Sequence, residues 1–398
     1  MSIFRASTPS SPIIVYLPPG PVLPDCLEEE ERVISTLRES SSATIVRVNY
    51  RASSLHQYPT PCHDVLAGYD WVRENLLRDE FQRPYLAQLG VCGQLVGGSL
   101  ATMLALTECR LGESRIGAAA VNNPIVDWIF PDDLPFVAPS ELPEPAAPDE
   151  TAFPADEDMG SSYATRENVE KESKTVRKRQ KRPPKALPTT AWVAHSDNTT
   201  LPAVVLSGER DVLFRRPEDY FDRFASPIHF FRSPHAQLIF PQHEDVAASQ
   251  QPDEVVDLET QMELDHYASL NNAMMAPALP TLARCRSYAR NYPPAGTKLG
   301  LPLWNITYGL HSPLSDQATE LAKMVRRSIA RQTLKSHSGR TRWHDATEKG
   351  QYGQLAQEQV LLSACEGVGL WTQQEDNPNW KTNVQDMGAW MKQHLVRG

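Results

Sequence analysis

A turn framed by glycines is the part of this sequence best suited to present a reactive side chain. Residues 85–92 form an uncharged apolar run, which predicts a short buried strand. From Gly97 onward, apolar residues recur at the helical positions 100, 103, 104 and 106, which predicts a helix. Residues 93–97 then make a strand-to-helix turn, whose middle residue, Leu95, is forced into a strained and exposed position. A nucleophile there could attack a substrate, but Leu95 has neither a proton to give nor a lone pair.

The sequence of residues 93–101, GQLVGGSLA, resembles the nucleophile elbow of the α/β-hydrolase fold. The form is that of esterases and lipases related to hormone-sensitive lipase, which read close to Gly-Asp-Ser-Ala-Gly-Gly. Leu95 occupies the position where this family carries its serine. The nearest other nucleophiles are Cys92, at the end of the strand, and Ser99, in the first turn of the helix, and both are expected to have structural roles.

The same resemblance assigns roles to two later residues. In the family the acid follows a strand within a Gly-x-x-Asp turn, and the histidine follows the next strand. Asp211 and His235 match these positions in the family's chain order. The resemblance therefore implies that His235 would be the base and Asp211 would orient it. We expect the two side chains within hydrogen-bond reach of each other, with Leu95 beside the ring of His235.

The loop that would stabilise a developing negative charge also departs from the family pattern. The family has His-Gly-Gly-Gly after the first matched strand, whereas residues 18–21 here read PPGP. Proline has no backbone N–H and cannot donate to an oxyanion. The oxyanion-like donors that remain are the N–H groups of Gly20 and Val96. The resemblance covers roughly residues 12–238 and is interrupted by an insertion.

Two other interpretations of residues 85–107 are less consistent with their composition. The length and lack of charge suit a membrane span, but four polar side chains interrupt the stretch and no basic cluster flanks it. A dinucleotide-binding glycine motif is a poorer fit still, because Cys92 stands where the second glycine would admit a pyrophosphate.

Composition narrows the partners and the cellular location. The chain has 398 residues and a net charge of −10, which argues against binding to nucleic acid or to an anionic membrane. Its six cysteines include no C-x-x-C pair, so neither a zinc site nor a redox pair is predicted, and we expect no cofactor. Reduced thiols and an amino terminus without an apolar segment favour a cytoplasmic protein.

The elements needed to position these residues alternate along the chain. Strands are predicted at 12–17, 43–49, 85–92 and 116–121, and helices at 26–39, 61–78 and from 97 onward. This alternation predicts an α/β fold with a mostly parallel, doubly wound sheet and helices on both faces. Further strands are expected at 201–207 and 227–231, with a helix at 217–224 between them.

Two regions extend this core. Residues 131–200 are rich in proline and segregate their charge, which predicts a disordered insertion or lid within a hydrolase-like domain of residues 1–240. The basic run at 174–185 is compatible with a nuclear location. Residues 241–398 are predicted to form a mainly helical extension packing on that domain. It has helices near 278–287, 315–334 and 352–364 and a strand at 301–308.

These observations favour a hydrolase-like protein with a degenerate catalytic site, serving as a non-hydrolytic ligand-binding protein or scaffold. Two alternatives remain open. One is an enzyme of another reaction class, such as a lyase or cyclase, that uses His235 and Asp211 for proton transfer. The other is a protein-interaction module. The partner would accordingly be a hydrophobic small molecule or another protein.

Overall fold

The computed structural model describes twelve stretches of the chain: residues 1–6, 11–23, 26–77, 88–112, 115–135, 137, 142–145, 190–239, 280–294, 296–339, 343–344 and 346–396. Most of the predicted insertion at 131–200, with the basic run at 174–185, lies outside the described residues. The same holds for the first part of the predicted strand at 85–92.

A sheet of seven strands forms the centre of the fold, in the order β1-β3-β2-β4-β5-β8-β9. All neighbours in it are parallel except β1, which is antiparallel to β3. The strands are β1 (Ser2–Phe4), β2 (Ile13–Leu17), β3 (Thr44–Arg47), β4 (Leu89–Gln94), β5 (Ile116–Asn122), β8 (Leu303–Gly309) and β9 (Val360–Cys365). A separate antiparallel pair joins β6 (Ala236–Ile239) to β7 (Thr281–Arg284). The predicted α/β class and mostly parallel sheet are confirmed.

Helices cover both faces of this sheet and bury two apolar cores. The longer helices are α1 (Leu27–Ser41), α2 (Thr60–Asn75), α3 (Leu95–Thr107), α5 (Ala203–Leu213), α6 (Ser315–Ser338), α7 (Ala346–Gln359) and α8 (Trp380–Val396), with a short α4 at Ala191–Ala194. The larger core contains α2, α3 and α6, and the smaller one lies between the sheet and the pair α1 and α8. No helix in the described stretches is long and apolar enough to cross a lipid bilayer.

The carboxy-terminal region is part of this architecture rather than an addition to it. Strands β8 and β9 continue the sheet beyond β5, and α8 packs on α1 and on the face of β4 and β5. Gly388 of α8 has no room for a side chain because Ser40 of α1 lies against it. The predicted boundary at residue 241 is therefore corrected: residues after 241 complete the sheet, because β5 needs a parallel neighbour on its outer side.

Several predicted elements have a different secondary structure. The apolar run at 201–207 begins the helix α5, and residues 227–230 form a 3₁₀ turn rather than a strand. Residues 281–284, predicted as helix, form β7. A short apolar run does not distinguish a buried strand from a helix. Here Pro202 starts a helix that exposes three of its valines, which a buried strand could not do.

Candidate functional site

The glycine-framed turn between β4 and α3 has the sharp geometry that the sequence predicts. Gln94 ends the strand, and Leu95 begins the helix with a φ of 52°. This left-handed conformation is costly for a bulky residue, so the surrounding structure must enforce it. A Cβ added to Gly93 would collide with the backbone of Gly97, and one added to Gly97 would collide with the carbonyl oxygen of Pro18. Both positions therefore need glycine, and the predicted turn is confirmed.

The side chain at the apex of this turn is buried, which corrects the prediction that it is exposed. Leu95 has no solvent-accessible surface and belongs to the larger apolar core. Its carbonyl oxygen accepts a hydrogen bond from the N–H of Ile125, at 3.3 Å, in the segment that follows β5. Burial of a leucine side chain away from water lowers the free energy of the folded state. Leu95 therefore packs inward, whereas a polar side chain at this position would stay at the surface.

The two residues predicted as oxyanion-like donors are neighbours in the structure. Gly20 has a φ of 83°, and a Cβ placed on it would lie 3.0 Å from the Cβ of Val96. The hydroxyl of Tyr50 would lie 2.9 Å from the same point, and it donates a hydrogen bond to the carbonyl oxygen of Pro18 at 2.7 Å. Burial raises the pKa of Tyr50 well above its usual value, so the phenol stays protonated as a donor. Tyr50 thus packs against the loop at residues 18–20.

Polar side chains at the carboxyl ends of β4 and β5 bind the loop that follows β9. Gln94 accepts a hydrogen bond from the N–H of Trp371 at 2.9 Å and donates to Thr372. Asn122 donates to the carbonyl oxygen of Gly369 at 3.0 Å. Asn123 donates to that of Val368 at 2.9 Å. All three amides are buried, so this end of the sheet is closed by the chain itself.

His235 has a carboxylate partner other than the predicted one. Its Nδ1 lies 3.3 Å from Oδ2 of Asp127, a buried residue in the segment after β5. Asp211 lies near the carboxyl end of α5, where its side chain is 64% exposed and binds Arg210 at 2.9 Å. The predicted pairing of His235 with Asp211 is therefore corrected. The physical reason is that residues 201–207 do not form the strand that would have brought Asp211 to the edge of the sheet.

Asp127 is the centre of a buried ionic cluster. Arg232 binds Asp127 at 2.8 Å and also binds Glu320 of α6 at 2.8 Å. Burial raises the pKa of Asp127, but His235, Arg232 and His229 outweigh this effect and hold the pKa well below its usual value. The cluster joins residues 227–235 to α6 and to the segment after β5. Asp127, Arg232 and His229 in it are buried, whereas His235 and Glu320 are partly exposed.

The neutral member of the cluster is His229, which is completely buried. Burial lowers its pKa from the usual 6.5 to about 3, although Asp127 lies 3.9 Å from its Nε2 and acts in the opposite direction. Its Nδ1 lies 3.2 Å from the carbonyl oxygen of Phe221, which fixes the proton on that nitrogen. His229 therefore remains neutral at physiological pH.

The other candidate nucleophiles have structural roles, as the sequence predicts. Ser99 donates a hydrogen bond to the carbonyl oxygen of Ala225 at 3.2 Å and is fully buried. Cys92 belongs to the smaller core, and burial raises the pKa of its thiol. Within the described stretches, no three His, Cys, Asp or Glu side chains are grouped to hold a metal ion.

Comparison with known proteins identifies the family. A family model described as "alpha/beta hydrolase fold" matches residues 20–228, which is more than half of the chain. The chain belongs to the α/β-hydrolase family. The sharp turn at Leu95 and the parallel sheet are the α/β-hydrolase features that the structure preserves. No curated protein matches the chain significantly.

Solved structures of esterases share this α/β-hydrolase fold at low sequence identity. A hyperthermophilic esterase from the archaeon Pyrobaculum calidifontis is 15% identical, with a TM-score of 0.53 over 99% of this chain and 79% of that one. Carboxyl esterase 2 from the fungus Tuber melanosporum is 11% identical, with a TM-score of 0.51 over 99% and 82%. An ester hydrolase from the metagenome of Lake Arreo is 12% identical, with a TM-score of 0.53 over 99% and 78%. Identities this low support the fold alone.

Proposed function

We propose that this protein is a degenerate α/β-hydrolase: it has no serine hydrolase activity and serves as a non-hydrolytic scaffold that binds another protein. The observation that carries the proposal is Leu95. It holds the left-handed conformation of an elbow apex, yet its side chain is fully buried in the core. Removing the serine of a comparable triad lowers kcat by about a million-fold, so acyl transfer through this site is lost.

The order of strands in the sheet supports the proposal that the acid of the catalytic triad is lost as well. In the family the acid follows a strand within a Gly-x-x-Asp turn. The strand beside β5 in this sheet is β8, which ends at Gly309, and the third residue after that glycine is Ser312. Ser312 is buried, and its hydroxyl accepts a hydrogen bond from the N–H of Leu314 at 3.2 Å. A serine hydroxyl carries no negative charge with which to orient a histidine and stabilise its protonated form.

By the same reasoning, no histidine stands at the position of the family's catalytic base. In the family the histidine follows the next strand, which in this sheet is β9. The residues after β9, from 366 to 372, read EGVGLWT and contain no histidine. Three separate positions of the catalytic machinery thus carry a leucine, a serine and a loop without a base. The three changes together favour a site that no longer performs hydrolysis. They disfavour a site in which only a single residue has been exchanged.

The closure of the site favours a scaffold over a ligand-binding protein. The amides of Gln94, Asn122 and Asn123 are hydrogen-bonded to the loop at 368–372, which therefore lies over this end of the sheet. Above the elbow, the aromatic rings of Tyr58, Phe214 and Trp128 pack against one another, with a stacking distance of 4.4 Å between the first two. A ligand cleft needs concave space with a few free polar groups, and these contacts among the described residues disfavour one at this end of the sheet.

A second candidate function rests on the His235–Asp127 pair. A buried carboxylate 3.3 Å from the Nδ1 of a partly exposed histidine is an arrangement that can transfer protons. It supports an enzyme of another reaction class, such as a lyase or cyclase, with Asp127 in the place predicted for Asp211. Arg232 lies 3.3 Å from the same Nδ1 and competes for it, which makes a structural role for the pair the stronger interpretation.

The experiment that tests the main proposal compares four proteins on one short-chain acyl ester: the wild type, Leu95→Ser, Leu95→Ala and His235→Ala. A serine-directed phosphonate probe is applied to each, and circular dichroism checks that each is folded. We expect no turnover above the solvent control and no labelling in any of them, because Leu95→Ser restores neither the acid nor the base.

Three results would separate the alternatives. Wild-type turnover that His235→Ala abolishes would overturn the proposal and favour the second candidate. Turnover that appears in Leu95→Ser but not in Leu95→Ala would show that the rest of the catalytic machinery is intact. That result would contradict the assignment of Ser312 to the position of the acid. Inactivity of all four, together with specific binding of a protein partner by the wild type, is the expected outcome.

A further inference from the structure

Helix α5 has apolar residues on two opposite faces. One face carries Ala203, Leu206 and Leu213, which are buried in the larger apolar core. The other face carries the valines at positions 204, 205 and 212, and all three are exposed, Val204 by 76%. A helix at the surface of a globular protein normally turns polar residues to the water. The outer face of α5 is therefore an apolar surface that the packing of this chain does not use.

The exposed valines form one stripe along the helix. Successive residues of a helix are rotated by about 100°, so Val204, Val205 and Val212 fall within about 100° of one another. Gly208 lies between them on this projection, and a Cβ added to it would meet no atom within 4 Å. The middle of the stripe is therefore open and offers no side chain that would obstruct a partner.

A further exposed apolar side chain lies near the carboxyl end of the stripe. Leu55 is 88% exposed in the turn formed by residues 53–56. The side chain of Gln57 donates a hydrogen bond to the carbonyl oxygen of Val212 at 2.9 Å, and the N–H of Tyr58 donates to that of Leu213 at 2.9 Å. These bonds hold the turn beside the last turn of α5. We call the stripe, together with Leu55, the α5 face; exposed apolar patches of this kind commonly mark interaction sites.

Two carboxylates border the stripe. On the helical projection Asp211 lies just outside Val204 and Glu209 lies just outside Val205, so the two acids are on opposite sides. Asp211 is exposed, although it also binds Arg210, and Glu209 is half-buried. The exposed basic residues at positions 215 and 216 follow the end of the helix and lie outside the stripe. The stripe thus has a negative group along each side.

We infer that the α5 face binds an amphipathic helix of another protein, one with Lys or Arg on each side of its own apolar stripe. A helix fits because the valine stripe is one helix face wide and about 12 Å long, which is about two helical turns. Basic residues of the partner then meet Glu209 and Asp211, and the net charge of −10 favours the approach of a basic segment. This inference deepens the proposed function and rests on it for the role of the protein as a scaffold.

The test measures binding of a labelled peptide to the full chain by fluorescence anisotropy. The probe is an amphipathic peptide of about 18 residues, about five helical turns, built only of Leu and Lys. A second peptide has Glu in place of every Lys and keeps the same apolar face. The wild type is expected to bind the Leu–Lys peptide with a Kd of about 1–100 µM, at least about tenfold more tightly than the Leu–Glu peptide. A tenfold rise in salt concentration, by about 1 M at most, should weaken this binding.

Two pairs of variants show whether the peptide occupies the α5 face. Val204→Lys places a positive charge in the stripe and is expected to weaken binding of the Leu–Lys peptide at least about tenfold. Its control is Leu111→Lys, because Leu111 is 56% exposed in the loop between α3 and β5, and this variant is expected to bind like the wild type. Circular dichroism checks that each variant is folded.

The second pair removes charges without touching the valines. Glu209→Gln combined with Asp211→Asn is expected to weaken binding at least about threefold and to reduce its salt dependence. The matched control combines Asp70→Asn with Glu74→Gln, at exposed acids of α2, and removes the same net charge. It is expected to leave both the affinity and the salt dependence unchanged.

Three results would overturn the inference. The first is a wild type that shows no saturable binding of the Leu–Lys peptide. The second is equal binding by all variants, which would mean attraction to the net charge alone. The third is self-association of the wild type in sedimentation equilibrium that Val204→Lys abolishes, which would assign the α5 face to a second copy of this chain. None of these results bears on ester turnover, so failure of this inference is distinguishable from failure of the proposed loss of hydrolysis.

Discussion

His235 and Asp127 lie 3.3 Å apart, from Nδ1 to Oδ2, although 107 positions separate them in the chain. The contact is one of several that tie residues 227–235 to the segment following β5. Arg232 makes the shortest of them, at 2.8 Å to the same oxygen. Because Asp127 faces three basic side chains and is almost completely buried, its removal affects more than a single bond.

The first prediction concerns this carboxylate. Asp127→Asn is expected to lower the free energy of unfolding by about 3–5 kcal/mol, because Arg232 then keeps only Glu320 as a charged partner in a buried site. Urea unfolding followed by circular dichroism measures the change. The matched control is Asp211→Asn, on an exposed carboxylate that also binds an arginine, and it is expected to stay within about 0.5 kcal/mol of the wild type. Equal effects of the two changes would contradict the central role of Asp127.

The second prediction concerns pH. His229 has its pKa lowered from 6.5 to about 3 in the folded protein. Between these two values the unfolded chain binds a proton that the folded chain does not, so stability falls as pH falls. His229 then contributes a loss of up to about 1.4 kcal/mol per pH unit below 6.5. Asp127 acts in the same direction, but only below its unfolded pKa of about 3.9.

The window from pH 7 to pH 5 lies between the two pKa values of the histidine over most of its length and above the unfolded pKa of Asp127. His229→Asn keeps a donor near Phe221 and removes the titrating group, so its stability is expected to change less across this window than that of the wild type, by about 2 kcal/mol. Unfolding midpoints in urea at each pH measure this difference. His63→Asn, at an exposed histidine, serves as the control and is expected to follow the wild type. Parallel pH curves for His229→Asn and the wild type would show that His229 is not held neutral by the fold.

The third prediction concerns the close approach at the elbow. Gly97→Ala is expected to be severely destabilising, by more than about 3 kcal/mol, because the new methyl group meets the backbone of Leu17 and Pro18 rather than a movable side chain. Gly208→Ala is the matched control within α5. It has open space around the new Cβ and is expected to stabilise the protein by up to about 1 kcal/mol. Thermal unfolding checks both, and a mild effect of Gly97→Ala would contradict the packing of α3 against β2.

The fourth prediction concerns the loop that closes the carboxyl end of the sheet. Asn123 has a φ of 43°, donates to the carbonyl oxygen of Val368 and accepts from the N–H of Gly309. Asn123→Gly keeps the backbone conformation and removes both bonds, so we expect a loss of about 1–3 kcal/mol. Amides of residues 367–371 should exchange faster than in the wild type. Asn75→Ala, at an exposed asparagine, should leave exchange there unchanged. Unaltered exchange in Asn123→Gly would mean that the loop is held by other contacts.

Local sequence determined the elements whose signals are strong and short-range. The alternation of apolar strands and amphipathic helices up to residue 122 predicted the parallel sheet correctly. The glycines at 93 and 97 predicted the turn at Leu95, because only glycine fits where helix and strand backbones touch. The same resemblance placed Gly20 and Val96 near each other. Gly20 lies in the segment after β2 and Val96 in the segment after β4, and these two strands are paired.

Tertiary structure alone decided which residues surround the site. The run at 201–207 is apolar enough for a strand, yet it forms a helix because the sheet takes β8 and β9 as its outer strands instead. That choice left Asp211 exposed on α5 beside Arg210, and the carboxylate that lies beside His235 is that of Asp127. No spacing in the sequence indicates Asp127, Gln94 or Asn123, because their partners lie more than one hundred positions away. Contacts at that separation depend on how the completed sheet packs, and the periodicity of a single segment carries no information about them.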